Sequence, residues 1–375
     1  MKTFDIAIIG RGITGLSAAL HLNQAGFRNL CMIAPPMASQ NNASSNAHFA
    51  TVTLQDNMSR FAHNLGSELA LASVELNRKG FASLLDFVRA HKLQHELGEV
   101  RRFADSDHEA QEMAIATKWL TSHGFPAEFR SMNGVMIQRD GAASLSLDGP
   151  EILTAISVAA PRQDIDDQVV TMTPHASGIT MELASGQKIS SEMVILACHR
   201  GIKDLLPMMN QALVNHADQF VIFRTNKTIA NAKPGDVLLT QHSQFWAVIK
   251  TPNRIVAGGA KFLRKWGGIE AVIPDVLPQA TTAIAKKFAP ILGVKQLELE
   301  TAGGLIDLRA CDERPLIGPM FGNSRILLAS GYMGSGMTLG FAAGQGLAEF
   351  VSHGRSHLID ECFHPSRLRS LPDVD

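Results

Sequence analysis

Apolar residues fill positions 4–9 almost without a break, interrupted only by Asp5, and the run stops at Gly10. A short apolar run ending at glycine reads as a strand buried on both faces of a parallel sheet. Leu16, Ala19, Leu20 and Leu22 then recur at helical spacing, and Gly26 stands where a helix C-cap is expected. Positions 30–34 form a second buried strand, which Pro35-Pro36 closes. The first 34 residues therefore read as a βαβ unit, and such units imply a parallel sheet with right-handed crossovers.

Further on, Phe61, Leu65, Leu69, Ala72, Leu76 and Phe81 predict a helical, amphipathic stretch over 59–97. Asp148-Gly149-Pro150 opens another short helix, with proline tolerated in its first turn. Strand-like runs follow at 169–172, 179–183 and 193–197. Four more, at 220–224, 237–240, 245–249 and 255–257, are separated by short polar turns such as Pro252-Asn253, as in an antiparallel sheet. Positions 275–293 resemble a helix. The pattern predicts an α/β fold in which a Rossmann-like part starts the chain and resumes near residues 142 and 300. An antiparallel, α+β part is inserted between.

Composition narrows the function classes. A net charge of −1 and a pI near 6.9 give no field that would recruit nucleic acid or an acidic membrane. The four cysteines are far apart and unpaired in spacing, which fits reduced thiols in a cytoplasmic protein. Fourteen scattered histidines form no ligand cluster, so no metal is expected. The N-terminal apolar run superficially resembles a signal peptide, but Asp5 and the following glycines suit a strand and turn better. Positions 326–348 carry no charge, yet six glycines break them up, so a buried loop and helix is expected rather than a membrane span.

Two glycine-rich motifs carry the chemistry. In Gly10-Arg11-Gly12-Ile13-Thr14-Gly15, a GxGxxG between strand and helix, Gly10 permits the tight turn. Gly12 lets the backbone approach a pyrophosphate, and Gly15 lets the helix pack on the strand. The helix N-terminus offers its N–H groups and partial positive charge to the phosphates. The acid that usually ends the second strand and binds ribose is replaced by Ala34, so Gln40, Asn41 or Asn42 substitutes or the adenosine half is held less firmly. The second motif runs from Ile326 through Gly331, Gly334 and Gly336 to Gly340 and leads into a helix ending near Val351. It again points backbone N–H groups at an anion, or else marks a helix packed closely through Gly340 and Gly344.

With these motifs the chain resembles the FAD-dependent D-amino-acid oxidase and glycine oxidase superfamily over nearly its whole length. The resemblance rests on six segments in order: GRGITG at 10–15, Ala43-Ser44-Ser45-Asn46, the Val169-Val170 strand, residues 193–199, residues 254–259, and residues 312–318 with 329–338. It implies an FAD-binding domain of residues 1–82, 142–208 and 300–375, and a substrate domain of residues 83–141 and 209–299. It implies that Gly10, Gly12, Ile13, Thr14 and Gly15 hold the FAD pyrophosphate, with Ser44, Ser45 and Asn46 near the flavin and ribityl chain. Val170 would lie near the adenine, and Gly334, Ser335, Gly336, Met337 and Thr338 near the pyrimidine edge of the flavin.

On the substrate side, the resemblance implies oxidation of a small amine or amino acid by hydride transfer to flavin. The arginine that relatives use for a substrate carboxylate has Asp307 in its usual place, with Arg309 two residues on and on the same strand face. Arg309, Tyr332 (the only tyrosine) and Lys261 are the candidate catalytic residues. His48 stands near where some relatives attach flavin covalently, and His199 and His242 are further pocket candidates. The alternatives are oxidation of a 2-hydroxy acid or polyol phosphate, and a flavin-binding subunit without turnover. The partners expected are a small-molecule substrate and an electron acceptor, oxygen or another.

Overall fold

The computed structural model describes residues 1–36, 48–130, 135–138, 143–240, 242–271, 273 and 275–368. Its contacts divide the chain into two compact units, one of Met1–Ser44, Pro150–Asn215 and Leu308–Asp375 and one of Ser45–Gly149 and His216–Asp307.

In the first unit, β1 (Lys2–Ile9) runs parallel to β2 (Leu30–Ala34) on one side and to the strand Lys188–Leu196 on the other. The strand Gln163–Asp166 extends the sheet beyond β2, again in parallel. Asn323–Ser330 adds in parallel to Lys188–Leu196, and Leu316–Met320 pairs with it antiparallel. Val169–His175 and Gly178–Leu183 form the antiparallel wing of the same sheet. Ala7, Ile8, Met32, Ile33, Val194 and Leu328 are fully enclosed, as unbroken apolar strands covered on both faces require. The helix α1 (Ile13–Gln24) follows the first turn, and Gly26, at φ 100°, sits just past its C-cap. The final helix, Gly336–His353, packs on α1 so closely that a Cβ at Gly344 would come within 2.6 Å of the backbone of Thr14 and Ala18. The Ser17 hydroxyl donates to the Phe341 carbonyl at 2.7 Å across that contact.

In the second unit the large sheet is ordered Glu298–Ala310, Leu213–Arg224, Arg254–Gly259, Phe245–Thr251, Val237–Thr240, Val100–Phe103, Val135–Gln138 and Ala127–Arg130. Its described pairings are antiparallel except one: Val237–Thr240 runs parallel to Val100–Phe103. The helix Pro278–Leu292 lays Ala280, Ile284, Phe288 and Leu292 onto this sheet at four-residue spacing. The α/β architecture with a largely antiparallel inserted sheet is thus the one expected.

Two local readings are corrected. The helical stretch expected over 59–97 is two helices, Met58–Leu65 and Ser67–Ala90, broken at Gly66 with φ 86°, and the chain is extended again at His95–Gly98. Four short strands between 95 and 147 were not anticipated beside it, Val100–Phe103 and Ser144–Leu147 among them. Residues 48–82 cluster with the second unit; inside it Asn77, on the long helix, donates to the Thr51 carbonyl at 2.6 Å. Among the described residues, no helix is long and apolar enough to cross a membrane.

Candidate cofactor site

The first glycine turn separates its three glycines by cause. Gly10 has φ 112°, and a Cβ there would overlap the Ala197 carbonyl on the neighbouring strand. A Cβ on Gly15 would overlap the Gly10 carbonyl. Both glycines are required by the protein itself. Gly12 is different: its φ of −84° and ψ of −177° suit any residue, and its Cβ would meet nothing within 4 Å. The fold gives no steric reason for glycine there, whereas a ligand lying against the backbone does. Gly12 is also the N-cap of α1 and no side chain caps the helix, so the N–H groups of its first turn, from Ile13 and Thr14 onward, are left to an anion.

The second turn repeats the arrangement. Gly331, Met333 and Gly334 all have positive φ (74°, 52° and 88°), which folds the loop back before the final helix. Ser335 is that helix's N-cap, and its hydroxyl is buried without a hydrogen-bond partner among the described residues. Gly336 has open space at its Cβ, while Met337 and Thr338 point into the packed interior. An orphaned hydroxyl at one helix N-terminus and a backbone cleared of side chain at both fit the pyrophosphate and ring of FAD.

Tyr332 joins the two turns. Its hydroxyl is 2.8 Å from Thr14 Oγ1, and burial pushes the phenol well above the usual tyrosine range. The side chain is thus a neutral brace between the loop and α1. Arg309 lies opposite Tyr332 in an isolated antiparallel bridge and is half-buried between the enclosed Leu308 and Ala310. The structure therefore brings Arg309, Tyr332, Thr14 and the loop 331–338 together in one unit.

Lys261, in the second unit, is bound to Asp218 at 3.1 Å, with both side chains largely buried. His242 accompanies acids: its backbone N–H donates to Glu109 at 2.6 Å and its ring is 3.3 Å from Glu112. The imidazole of His48 packs against Gly149, where a Cβ would overlap it. His199 has φ 53° and is half-buried. Val170 is 47% exposed on the strand Val169–His175. Ser44, Ser45 and Asn46 lie outside the described residues. Arg11 and Asp166 were not foreseen: the Arg11 guanidinium donates to the Asp166 carboxylate at 2.9 Å. Lys250 was missed too; it is half-buried and donates to the His48 and Leu147 carbonyls and the Ser146 hydroxyl.

Comparison with known proteins decides the family. Residues 5–350 match the family model described as FAD dependent oxidoreductase (DAO). The chain belongs to this family. Its fold is similar to glycine oxidase from Geobacillus kaustophilus, with TM-score 0.77, 16% identity, and 98% of this chain and 99% of that one covered. It is similar to L-proline dehydrogenase from P. horikoshii, with TM-score 0.78, 14% identity and 98% of each chain covered. Iminodiacetate oxidase from Chelativorans sp. BNC1 gives TM-score 0.73 at 15% identity over 96% of this chain and 98% of that one. No curated protein sequence matches. This FAD-dependent oxidoreductase thus carries two glycine turns whose cleared backbone suits its cofactor.

Proposed function

We propose that this FAD-dependent oxidoreductase oxidises a small amine or amino acid, with Arg309 binding an anionic group of the substrate. The observation that supports the reading is the backbone bridge that pairs half-buried Arg309 with Tyr332 of the second glycine loop. The names of the similar structures, a glycine oxidase, a proline dehydrogenase and an iminodiacetate oxidase, support the same substrate class.

Bound FAD supplies the acceptor for the hydride leaving the substrate carbon. The chain supplies position and charge. Arg309 offers a planar fork that fits a carboxylate with two parallel hydrogen bonds and so fixes the substrate's orientation. Lys261 already has its charge balanced by Asp218, so carboxylate binding falls to Arg309. Tyr332 stays protonated and holds the loop to Thr14. The N-terminus of the final helix places partial positive charge where it favours an anion.

The test is anaerobic mixing of the yellow holoenzyme with amines, amino acids, 2-hydroxy acids and polyol phosphates, read as loss of flavin absorbance. Bleaching by an amino acid or secondary amine is the expected result. Bleaching only by hydroxy acids or polyol phosphates would overturn the substrate class, and no bleaching at all would leave a flavin-binding subunit.

A further inference from the structure

The second strand of this nucleotide fold lacks its usual acid, and the sheet topology shows what stands beside the gap. Ala34 ends β2, and in the parallel pairing with Gln163–Asp166 its register partner is Asp166. Register partners in a parallel pair project to the same face, about 4.8 Å apart. The carboxylate absent from strand two is thus present one strand over. The Asp167 N–H donates to the Ala34 carbonyl at 3.1 Å, which ties the two strand ends together.

We propose that Asp166 binds the adenosine ribose hydroxyls of FAD in place of the acid missing at Ala34, and that Arg11 orients it. Arg11 is the first variable residue of the glycine turn, and its Nη1 donates to Asp166 Oδ1 at 2.9 Å. Asp166 Oδ2 accepts no hydrogen bond from a described residue, and the side chain is 63% exposed. One oxygen is therefore fixed by the pyrophosphate turn and the other faces outward. The neighbouring Asp164 is 3.9 Å from Arg11 but is held more closely by Arg162, at 3.0 Å. Four residues beyond Asp166 comes Val170, which the family resemblance puts near the adenine.

Apoprotein titrated with FAD and with its 2′,3′-dideoxyadenosine analogue, followed by flavin fluorescence, tests the assignment. Wild type should prefer FAD by roughly 10- to 100-fold, the range for a charged hydrogen bond. In Asp166→Ala the preference should collapse to about 1, with analogue affinity and the apoprotein's melting temperature little changed. Ala34→Glu in that background should restore the preference. Asp166→Asn, which keeps the side chain's shape, should lower the preference even if the alanine variant folds poorly. A wild type without preference, or a variant that keeps it, overturns the proposal. Retained FAD binding in either case leaves the cofactor assignment standing.

Discussion

A methyl group at Gly15 would overlap the carbonyl of Gly10, whereas one at Gly12 would meet nothing within 4 Å. Substitution should therefore separate folding from cofactor binding. Gly12→Val is expected to yield apoprotein with a near-wild-type melting temperature that purifies colourless and gains no colour with added FAD. Gly15→Ala should instead destabilise the protein by about 1–3 kcal/mol or more, because backbone must shift to admit the methyl group. Yellow Gly12→Val protein would remove the pyrophosphate from this turn. Arg309 is probed by catalysis. Replacing it with alanine should leave the substrate's anionic group unpaired and cost ~2–5 kcal/mol, a fall in kcat/KM of roughly 30-fold to several thousand-fold. The flavin spectrum should stay unchanged, and Arg309→Lys should rescue only in part because the fork is lost. Wild-type kinetics in the alanine variant would rule the role out, and loss of FAD would assign Arg309 to the fold instead. The glycines were legible in the sequence because their spacing is local. Asp166 was not, since its partner Arg11 lies 155 positions away and only the sheet register puts it beside Ala34.

Among the elements, the buried parallel strands were legible because their apolar runs leave no polar face. The short strands of the second unit were not. His95–Gly98, Val100–Phe103 and Ala127–Arg130 span four residues each with too few apolar positions to show a period, and their strand character comes from neighbours. One such neighbour contact titrates. Lys250, on the strand Phe245–Thr251, donates to Ser146 and Leu147 on the strand Ser144–Leu147 at 3.1 Å each, and burial lowers its ammonium to about 8. A lysine in the unfolded chain titrates near ~10.4. The folded state therefore binds fewer protons than the unfolded state between these values, so this group makes stability rise with pH across that window. Below pH ~8 the full cost of burying the charge is present, and above pH ~10.4 it has vanished. Denaturant unfolding at pH ~7.5 and ~9.5 should show wild type gaining roughly 2 kcal/mol more than Lys250→Met over that interval. Equal changes in the two proteins would mean that the lysine keeps an ordinary affinity for its proton in the fold.

For the molecule as a whole, the division into two units does not follow the ends of its elements. The chain passes between the units at four points, and two of these, 215/216 and 307/308, fall inside the strands Leu213–Arg224 and Glu298–Ala310. A third, 149/150, falls at the first residues of the helix Gly149–Ala159. Domains that melt separately are usually joined by exposed linkers; here, unfolding one unit would cut continuous strands of the other. One cooperative transition is therefore expected, although the glycine turns at 10–15 and 331–338 both belong to the first unit. The size of the cofactor's effect checks this. FAD at about 100 times its dissociation constant should stabilise the folded state by ~2.7 kcal/mol. With an unfolding entropy of ~2.1 cal/mol/K per residue, 375 residues melting together give a rise of only ~3 °C. If the first unit melted alone, with about half the residues, the same binding energy would raise its transition by ~7 °C and leave the other unmoved. Calorimetry of apoprotein and FAD-loaded protein distinguishes these cases. One peak shifted by a few degrees is the expected outcome, and two peaks with only one responding to FAD would show that the strands crossing the division do not couple the units.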